Sequence, residues 1–446
     1  MNSRRLTTLA SMILAACPVA ALAEHHDQGE EVATKVTQGA ILNQRAEEIG
    51  KVFLGEIAYE AVFTDAFIDA VPKAQFDAIT AQLTSQMGAY AGVHAVTPTG
   101  DSTADVRFRF GEMLANTILQ LASDGTWKVA GFRITGTSPI LAEGETISDK
   151  IAQLPGTTNL LFAKLDGSEP IEAHNAEMSL AIGSAFKLWV LSALVRDIEA
   201  GKRAWDDVMV LEKYSVPTGG MQNWPYRSPV TLHTLATMMI ATSDNTATDE
   251  LIALLGRDKV EAELALTGHS DPARNIPFLS TREFMLLKWY ENQGRFDYEA
   301  LSEAEKRATL EQISWEGVGD AMVNELFGAD RPQHIDIEWF ATPGDLARVM
   351  QRLERNIEAR KILTVNKGFP PGSAGIWSYI GYKGGSEPGV INFTWILVND
   401  LKEPHILTMS WNNPEAGVDL AQFMGLAQEI MATNKQQRYM QVPATR

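Results

Sequence analysis

The chain has 446 residues, is 45% hydrophobic and carries a formal net charge of −18. That length leaves room for two or three domains with full cores. That charge makes nucleic acid and anionic lipid headgroups poor partners. The N-terminus has the pattern of an export signal (1–23): Arg4-Arg5, an apolar run from Leu6 to Ala16, then Ala21-Leu22-Ala23 before Glu24. Its Cys17 is the single cysteine of the chain, so cleavage after Ala23 leaves no disulfide. Leu14-Ala15-Ala16-Cys17 also fits a lipoprotein box, with a lipid anchor on Cys17. Either route predicts a periplasmic or extracytoplasmic location. No other apolar run is long enough to span a bilayer.

Residues 24–36 are polar and acidic. From about Ala40 to Ala70 apolar residues recur at three and four, which predicts helix; Ala74 to Tyr90 predicts a second. The period then changes to two. Thr103 to Phe110 alternates, Leu114 to Leu121 and Trp127 to Ile134 follow, and Ser123-Asp124-Gly125 makes the turn between the last two. Helices before an antiparallel meander predict a small α+β domain over 24–137. Asp65, Asp69 and Tyr90 are what a pocket there would offer, but surface acids and a core-edge tyrosine are the plainer reading. A docking or homodimer role suits this domain better than chemistry.

A linker near 136–150 leads to a second domain, 138–446. Asn159 to Leu165 and Pro170 to Ala173 read as paired strands about the Asp166-Gly167-Ser168 turn. Ser184 opens an apolar helix. Pro229 to Ile240 and Leu251 to Leu255 are helical. Ile391 to Val398 and His405 to Ser410 are strand-like, and Val418 to Met431 is a last helix. One sheet therefore takes strands from both ends of the domain.

Three short motifs carry the chemistry. In Ser184-Ala185-Phe186-Lys187 the hydroxyl and the amine lie three apart, on one face of a helix. A serine hydroxyl is a weak nucleophile, and a neutral amine beside it can take its proton. Ser243-Asp244-Asn245 follows, and Tyr382-Lys383-Gly384-Gly385-Ser386 lies near the C-terminal end. The eight histidines are scattered, none with the spacing of a zinc helix, and no Gly-x-Ser-x-Gly elbow or phosphate loop is present. No metal or cofactor is expected.

The order Ser-x-x-Lys, Ser-Asp-Asn, Lys-x-Gly resembles the penicillin-recognising serine enzymes, class A β-lactamases above all. The first domain resembles, by its pattern of elements, the cone-shaped steroid-isomerase-like, nuclear-transport-factor-like fold. The resemblance implies an α+β chain: a cone-like domain, then a β-lactamase-like domain in which an antiparallel sheet packs with helices. It implies that Ser184 is the nucleophile, Lys187 the base, Ser243 a proton relay and Lys383 its holder. Asn245 would bind a substrate amide, the backbone at Ser184 and Ser386 the oxyanion, with Gly385 and Tyr382 lining the site and Asp244 structural.

Three departures bear on activity. The family's Glu-x-x-Leu-Asn signature for deacylation is absent, and a charged insertion, about 278–338, stands in its region. Asp249 occupies the place of the asparagine that steadies the missing loop. Gly384 replaces a threonine that helps hold a substrate carboxylate. Glu283, Glu316 and Glu338 are replacement acids on offer, each more simply read as a surface acid. The expectation is an exported serine hydrolase of ester or amide, β-lactams included, with weak β-lactamase turnover. A peptidoglycan D,D-peptidase and a non-catalytic ligand- or partner-binding protein are the alternatives.

Overall fold

The structure is a computed structural model that describes residues 28–142, 144–215, 219–314, 320–327, 331–368 and 377–441. The segment 1–23 with its expected export signal and Cys17, and Glu316, lie outside the described residues. The described residues form two units, one of those up to 145 with those from 421 on, the other of those between 146 and 420.

The first unit opens with α1 (Gln28–Phe53), α2 (Tyr59–Val62), α3 (Asp65–Ala70) and α4 (Lys73–Met87). The helix expected over 40–70 is broken for two local reasons. Gly55, at φ +70°, leaves the helical region after Phe53. Thr64 then donates its N–H to the Val129 carbonyl (3.0 Å) and caps α3 by accepting from Phe67 N–H (3.3 Å). β1 (Tyr90–Pro98), β2 (Thr103–Phe110), β3 (Met113–Leu121) and β4 (Val129–Pro139) form an antiparallel sheet in that order. β2 has the buried positions at Ala104, Val106, Phe108 and Phe110 that its alternation requires. β1 was not foreseen, because it is an edge strand with no fully buried position, and its alternation is faint.

Aromatic rings fill the interior of this unit. Phe53 meets Phe76, Tyr90, Phe108 and Phe110 at centroid distances of 5.3–5.6 Å. Tyr90 is thus a packed ring, with its hydroxyl pushed up to about 12 by burial, while Asp65 and Asp69 are exposed. The C-terminal helix (Leu420–Gln441) also belongs here, although the sequence reading placed it in the second unit. Gly425 rides on the Thr137 carbonyl, where an added Cβ would lie at 1.8 Å. Gln428 donates to the Thr135 carbonyl (3.2 Å), and Glu429 pairs with Arg107 (3.0 Å).

The second unit runs α5 (Ile147–Ala152), β5 (Thr157–Lys164), β6 (Glu172–His174), β7 (Leu180–Ala181), a 3-10 turn (Gly183–Phe186) and α6 (Lys187–Glu199). Next come β8 (Val208–Val210), β9 (Pro229–Thr231), α7 (Leu232–Ala241), α8 (Asn245–Leu255), α9 (Arg257–Leu266), α10 (Thr281–Asn292), α11 (Glu303–Gln312) and α12 (Asp320–Phe327). β10 (Phe340–Ala341), α13 (Pro343–Glu354), α14 (Ile357–Leu363), β11 (Trp377–Glu387), β12 (Val390–Asn399) and β13 (Pro404–Asn412) complete it. The main sheet is antiparallel in the order β11-β12-β13-β5-β6, so its first and last strands in sequence pair at its centre. β7 pairs with β10, and β8 with β9. Pro229–Thr231 is therefore strand, not helix: Thr231 caps α7 by accepting from Thr234 N–H (3.1 Å). α6 is buried from Lys187 to Val195 and packs against α7, α8, α9 and α13.

The described part of the insertion is largely helical, and one carboxylate anchors the start of its first helix. Asp249 on α8 is buried and accepts from Ser215 Oγ (2.7 Å), Thr281 N–H (2.7 Å), Thr281 Oγ1 (2.7 Å) and Arg282 N–H (3.1 Å). Two of these donors are the first free amides of α10, where an anion is favoured by the helix dipole. Burial pushes the Asp249 carboxyl up, and the four donors oppose that shift. Asp249→Ala removes an acceptor shared by four donors. It should cost about 2–4 kcal/mol of stability, with the earliest loss of hydrogen-exchange protection in the first turn of α10. Unchanged protection there would show that α10 is anchored by other contacts.

Candidate functional site

Three elements meet at Ser184: the 3-10 turn that carries it, the turn between α7 and α8, and strand β11. Ser184 itself precedes the α-helix, which begins at Lys187. The 3-10 turn follows from Gly183, whose φ of +50° turns the chain sharply after β7. Gly183 also faces β11 at close range. A Cβ on Gly183 would lie 3.0 Å from Ser386 N, and one on Gly385 would lie 2.1 Å from the Ile182 oxygen and 2.4 Å from Ser184 N. The nucleophile turn and the strand therefore touch backbone to backbone. Gly385 has a spatial reason to be glycine, and Ser386, the next residue, is exposed.

Lys187 is fully buried one step after that turn. Its amine donates to the Ser243 carbonyl (2.6 Å), Ser243 Oγ (3.1 Å) and Asn245 Oδ1 (2.7 Å). Ser243 holds φ +58°, uncommon for a residue with a side chain and a form of strain found at functional turns. Asp244 secures that turn. It caps α8 by accepting from Ala247 N–H (2.8 Å) and holds Gly220 N–H (2.7 Å) and Met221 N–H (2.9 Å). This cap starts α8 at Asn245, six residues before the helix the apolar pattern outlined at Leu251. The same cap leaves Asn245 facing Lys187.

Lys383 comes from β11 and also donates to Ser243 Oγ (3.1 Å), besides the Gly384 carbonyl. Two buried amines thus share one hydroxyl. Burial pulls Lys187 down to about 7, against the attraction of Asp249 and Asp244. Lys383 is pushed well below the usual lysine range by burial and by the charge of Lys187. Two amines that share one buried hydroxyl cannot both be ionised cheaply, which favours the neutral form of an amine here.

Tyr382 stacks on Trp395 with centroids 5.1 Å apart, and burial pushes its hydroxyl up. It also accounts for Gly384. A Cβ at 384 would lie 2.1 Å from Tyr382 Oη and 2.8 Å from Cζ. The tyrosine hydroxyl fills the space a threonine would need.

The replacement acids separate clearly. Glu283 closes the capping box of α10 with Ser280 and pairs with Arg257 (2.6 Å). Glu338 is not a surface acid. It is 5% exposed, accepts from Trp339 N–H (2.8 Å), and leaves Oε1 without a partner. Glu387 and Lys288, both buried, lie beside it, with Lys288 Nζ donating to Glu387 Oε1 at 2.5 Å. Two carboxyls and one ammonium carry an excess negative charge, which burial disfavours. Burial and Glu387 accordingly push Glu338 well up. Two of the three are chain neighbours of residues beside the site: Glu387 follows Ser386, and Glu338 precedes Trp339, whose carbonyl accepts from Ile182 N–H (3.0 Å). The sequence reading missed this trio, because its three members come from different elements and no apolar period marks an acid as buried.

The family model described as "Beta-lactamase enzyme family" matches residues 144–364, a span that includes Ser184, Lys187, Ser243 and Asn245 and stops before β11. Among solved structures, a β-lactamase from Sphaerobacter thermophilus is 21% identical, covering 67% of this chain and 97% of its own, with a TM-score of 0.46. A β-lactamase from Francisella tularensis is 14% identical, covering 66% and 100%, with a TM-score of 0.47. The protein PBP-A is 14% identical, covering 66% and 94%, with a TM-score of 0.44. A search of curated proteins finds no match. The family match covers just under half of the chain and marks residues 144–364 as similar to the β-lactamase enzyme family.

Proposed function

We propose that the protein is an exported serine hydrolase that works through an acyl-enzyme on Ser184, on an ester or amide substrate, with β-lactams acylating faster than they are released. The observation that carries this reading is Lys187, a fully buried amine close after Ser184, with its protonation pulled toward neutrality. Ser184 Oγ attacks the substrate carbonyl and its proton passes to the neutral amine of Lys187. The new C–O bond leaves an oxyanion, which in this reading the amides of Ser184 and Ser386 receive. Collapse breaks the bond to the leaving group, which takes a proton through Ser243 from the lysine pair. Asn245 serves two parts in this reading: its Oδ1 fixes Lys187, and its amide N–H groups face substrate.

Release of the acyl group needs a base for water. Glu338, the buried one of the replacement acids, favours its protonated form and is engaged with Glu387 and Lys288. A protonated carboxyl accepts no proton, so hydrolysis lags. Mixing the protein with a fluorescent penicillin or an activated ester should give an adduct on the Ser184 peptide by mass spectrometry, persisting for minutes. Ser184→Ala should abolish it, and Lys187→Ala should slow it by ~10²–10⁴-fold, the scale of a lost general base. Labelling that survives Ser184→Ala would overturn the assignment, and a penicillin adduct that clears at once would remove the lag. A labelled D-Ala-D-Ala peptide in the same panel separates a peptidase from an esterase.

The pH dependence has a definite sign. Lys187 works as a base only when neutral, and its folded value lies near 7 rather than in the ordinary lysine range. Acylation should therefore rise with pH through about 7 and level off above it. A rate that falls across this range would assign the base to another group.

The reading includes export, supported by the apolar run Leu6–Ala16 and the small residues before Glu24. Intact mass of the mature protein from its own cells should show Glu24 as first residue, or a diacylated Cys17. An uncut chain in the cytoplasmic fraction would refute it.

A further inference from the structure

The end of α10 faces the segment that leads into β10, and three ligand-type side chains meet there. Glu291 Oε1 lies 3.3 Å from His334 Nδ1, and with the Asp336 carboxylate the three ligand atoms fall within 4.8 Å of one another. Glu291 and His334 are half-buried and Asp336 is exposed. The histidine spacing in the sequence gave no sign of this group, because it holds one histidine and two acids set far apart along the chain.

The hydrogen bonds around the group decide which atoms face inward. Asn292 Nδ2 donates to Glu325 Oε1 (3.3 Å), which turns Asn292 Oδ1 toward His334. His334 Nε2 lies 2.8 Å from that oxygen, so Nε2 carries the hydrogen. Glu291 Oε2 accepts from Tyr298 N–H (3.1 Å), which leaves Oε1 pointing at the imidazole. In the neutral ring Nδ1 is an acceptor. With Nε2 taken by Asn292, it is Nδ1 that faces Glu291 Oε1, 3.3 Å away. The distance suits a cation. Two ligands held at about 2.0–2.1 Å in tetrahedral array stand about 3.3 Å apart. An outer partner on each of the two inner ligands is the usual support of a metal site, fixing ring tautomer and carboxylate orientation.

We propose that Glu291, His334 and Asp336 bind a divalent transition-metal ion of the zinc class, with solvent in the remaining position. One imidazole and two carboxylates suit Zn²⁺ and disfavour Mg²⁺, which prefers an all-oxygen octahedron. The ion joins α10 to the segment that carries Glu338 and Trp339, and so staples the insertion to the strand paired with β7. Its role is structural, and it takes no part in the acylation.

The test is Zn²⁺ titration of the chelator-treated full chain by calorimetry, read together with thermal melting. One ion should bind per chain at micromolar affinity or tighter, raise the melting temperature by several degrees, and be unmatched by Mg²⁺. Co²⁺ in its place should give visible ligand-field bands of tetrahedral strength. His334→Ala and Glu291→Gln should each weaken binding by more than 100-fold, and Asn292→Ala by about 10-fold. Asp336→Asn lies on the surface, cannot unsettle the fold, and should weaken binding at least 10-fold. No binding by the intact protein would mean that a proton fills the gap and the group is an ion pair. Binding unchanged in Asp336→Asn and His334→Ala would place the ion elsewhere. Either result overturns the proposal, and neither touches Ser184.

Discussion

An amine with no access to water must be given acceptors, and the second unit is arranged around that need at Lys187. Its three acceptors all come from Ser243 and Asn245, on a different element from its own. α6 must therefore lie against the α7–α8 turn, and the turn must hold Ser243 in a left-handed conformation to present both carbonyl and hydroxyl. Asp244 caps the next helix to keep it so, and Gly219 must lack a side chain because a Cβ there would strike Asp244 Oδ2 at 2.0 Å. Each requirement passes to a neighbour further from the nucleophile. The chemistry asks for the same burial, since desolvation is the leading cause of the lowered lysine.

Buried charge recurs through this unit as a way of joining segments remote in sequence. Asp249 joins α8 to the insertion, and Lys288 joins the insertion to β11 through Glu387. Glu263 on α9 binds Ser192 (2.6 Å) and Arg196 (2.6 Å) on α6. Asp345 at the start of α13 gathers Ser270 and Thr342. Breaking such a link by removing one partner is costly, because the other is left uncompensated. The helical layer is thus specified by directional bonds as well as by its apolar core.

How much of this was legible varied with the kind of signal. The hydrogen bonds that join Lys187, Ser243, Asn245 and Lys383 lie among residues of the three motifs, whose types have a chemical reason to be near one another. β2, β3 and β4 followed from alternation because one face of each is buried. β1 did not, because an edge strand buries little and so writes little into its sequence. The first turn of α8 was hidden because Asn245, Thr246 and Thr248 are polar yet buried, held by hydrogen bonds that no apolar period records. Glu338 was read as a surface acid for the same reason: an acid's burial is decided by partners, here Glu387 and Lys288, that approach from other elements. The C-terminal helix was assigned to the wrong unit because its apolar pattern says that it packs, not upon what.

The contact between Gly183 and Gly385 has a consequence for how such a site can change. The walls around the nucleophile are main chain on both sides, and main chain is the same in every variant. Substitution can therefore alter what enters the site far more readily than how the reacting carbonyl is held. Variation is confined to the flanks, where Tyr382 and Ser386 border the same strand. Gly183 and Gly385 are thereby the positions least open to substitution here, because a side chain has no room where the two backbones meet.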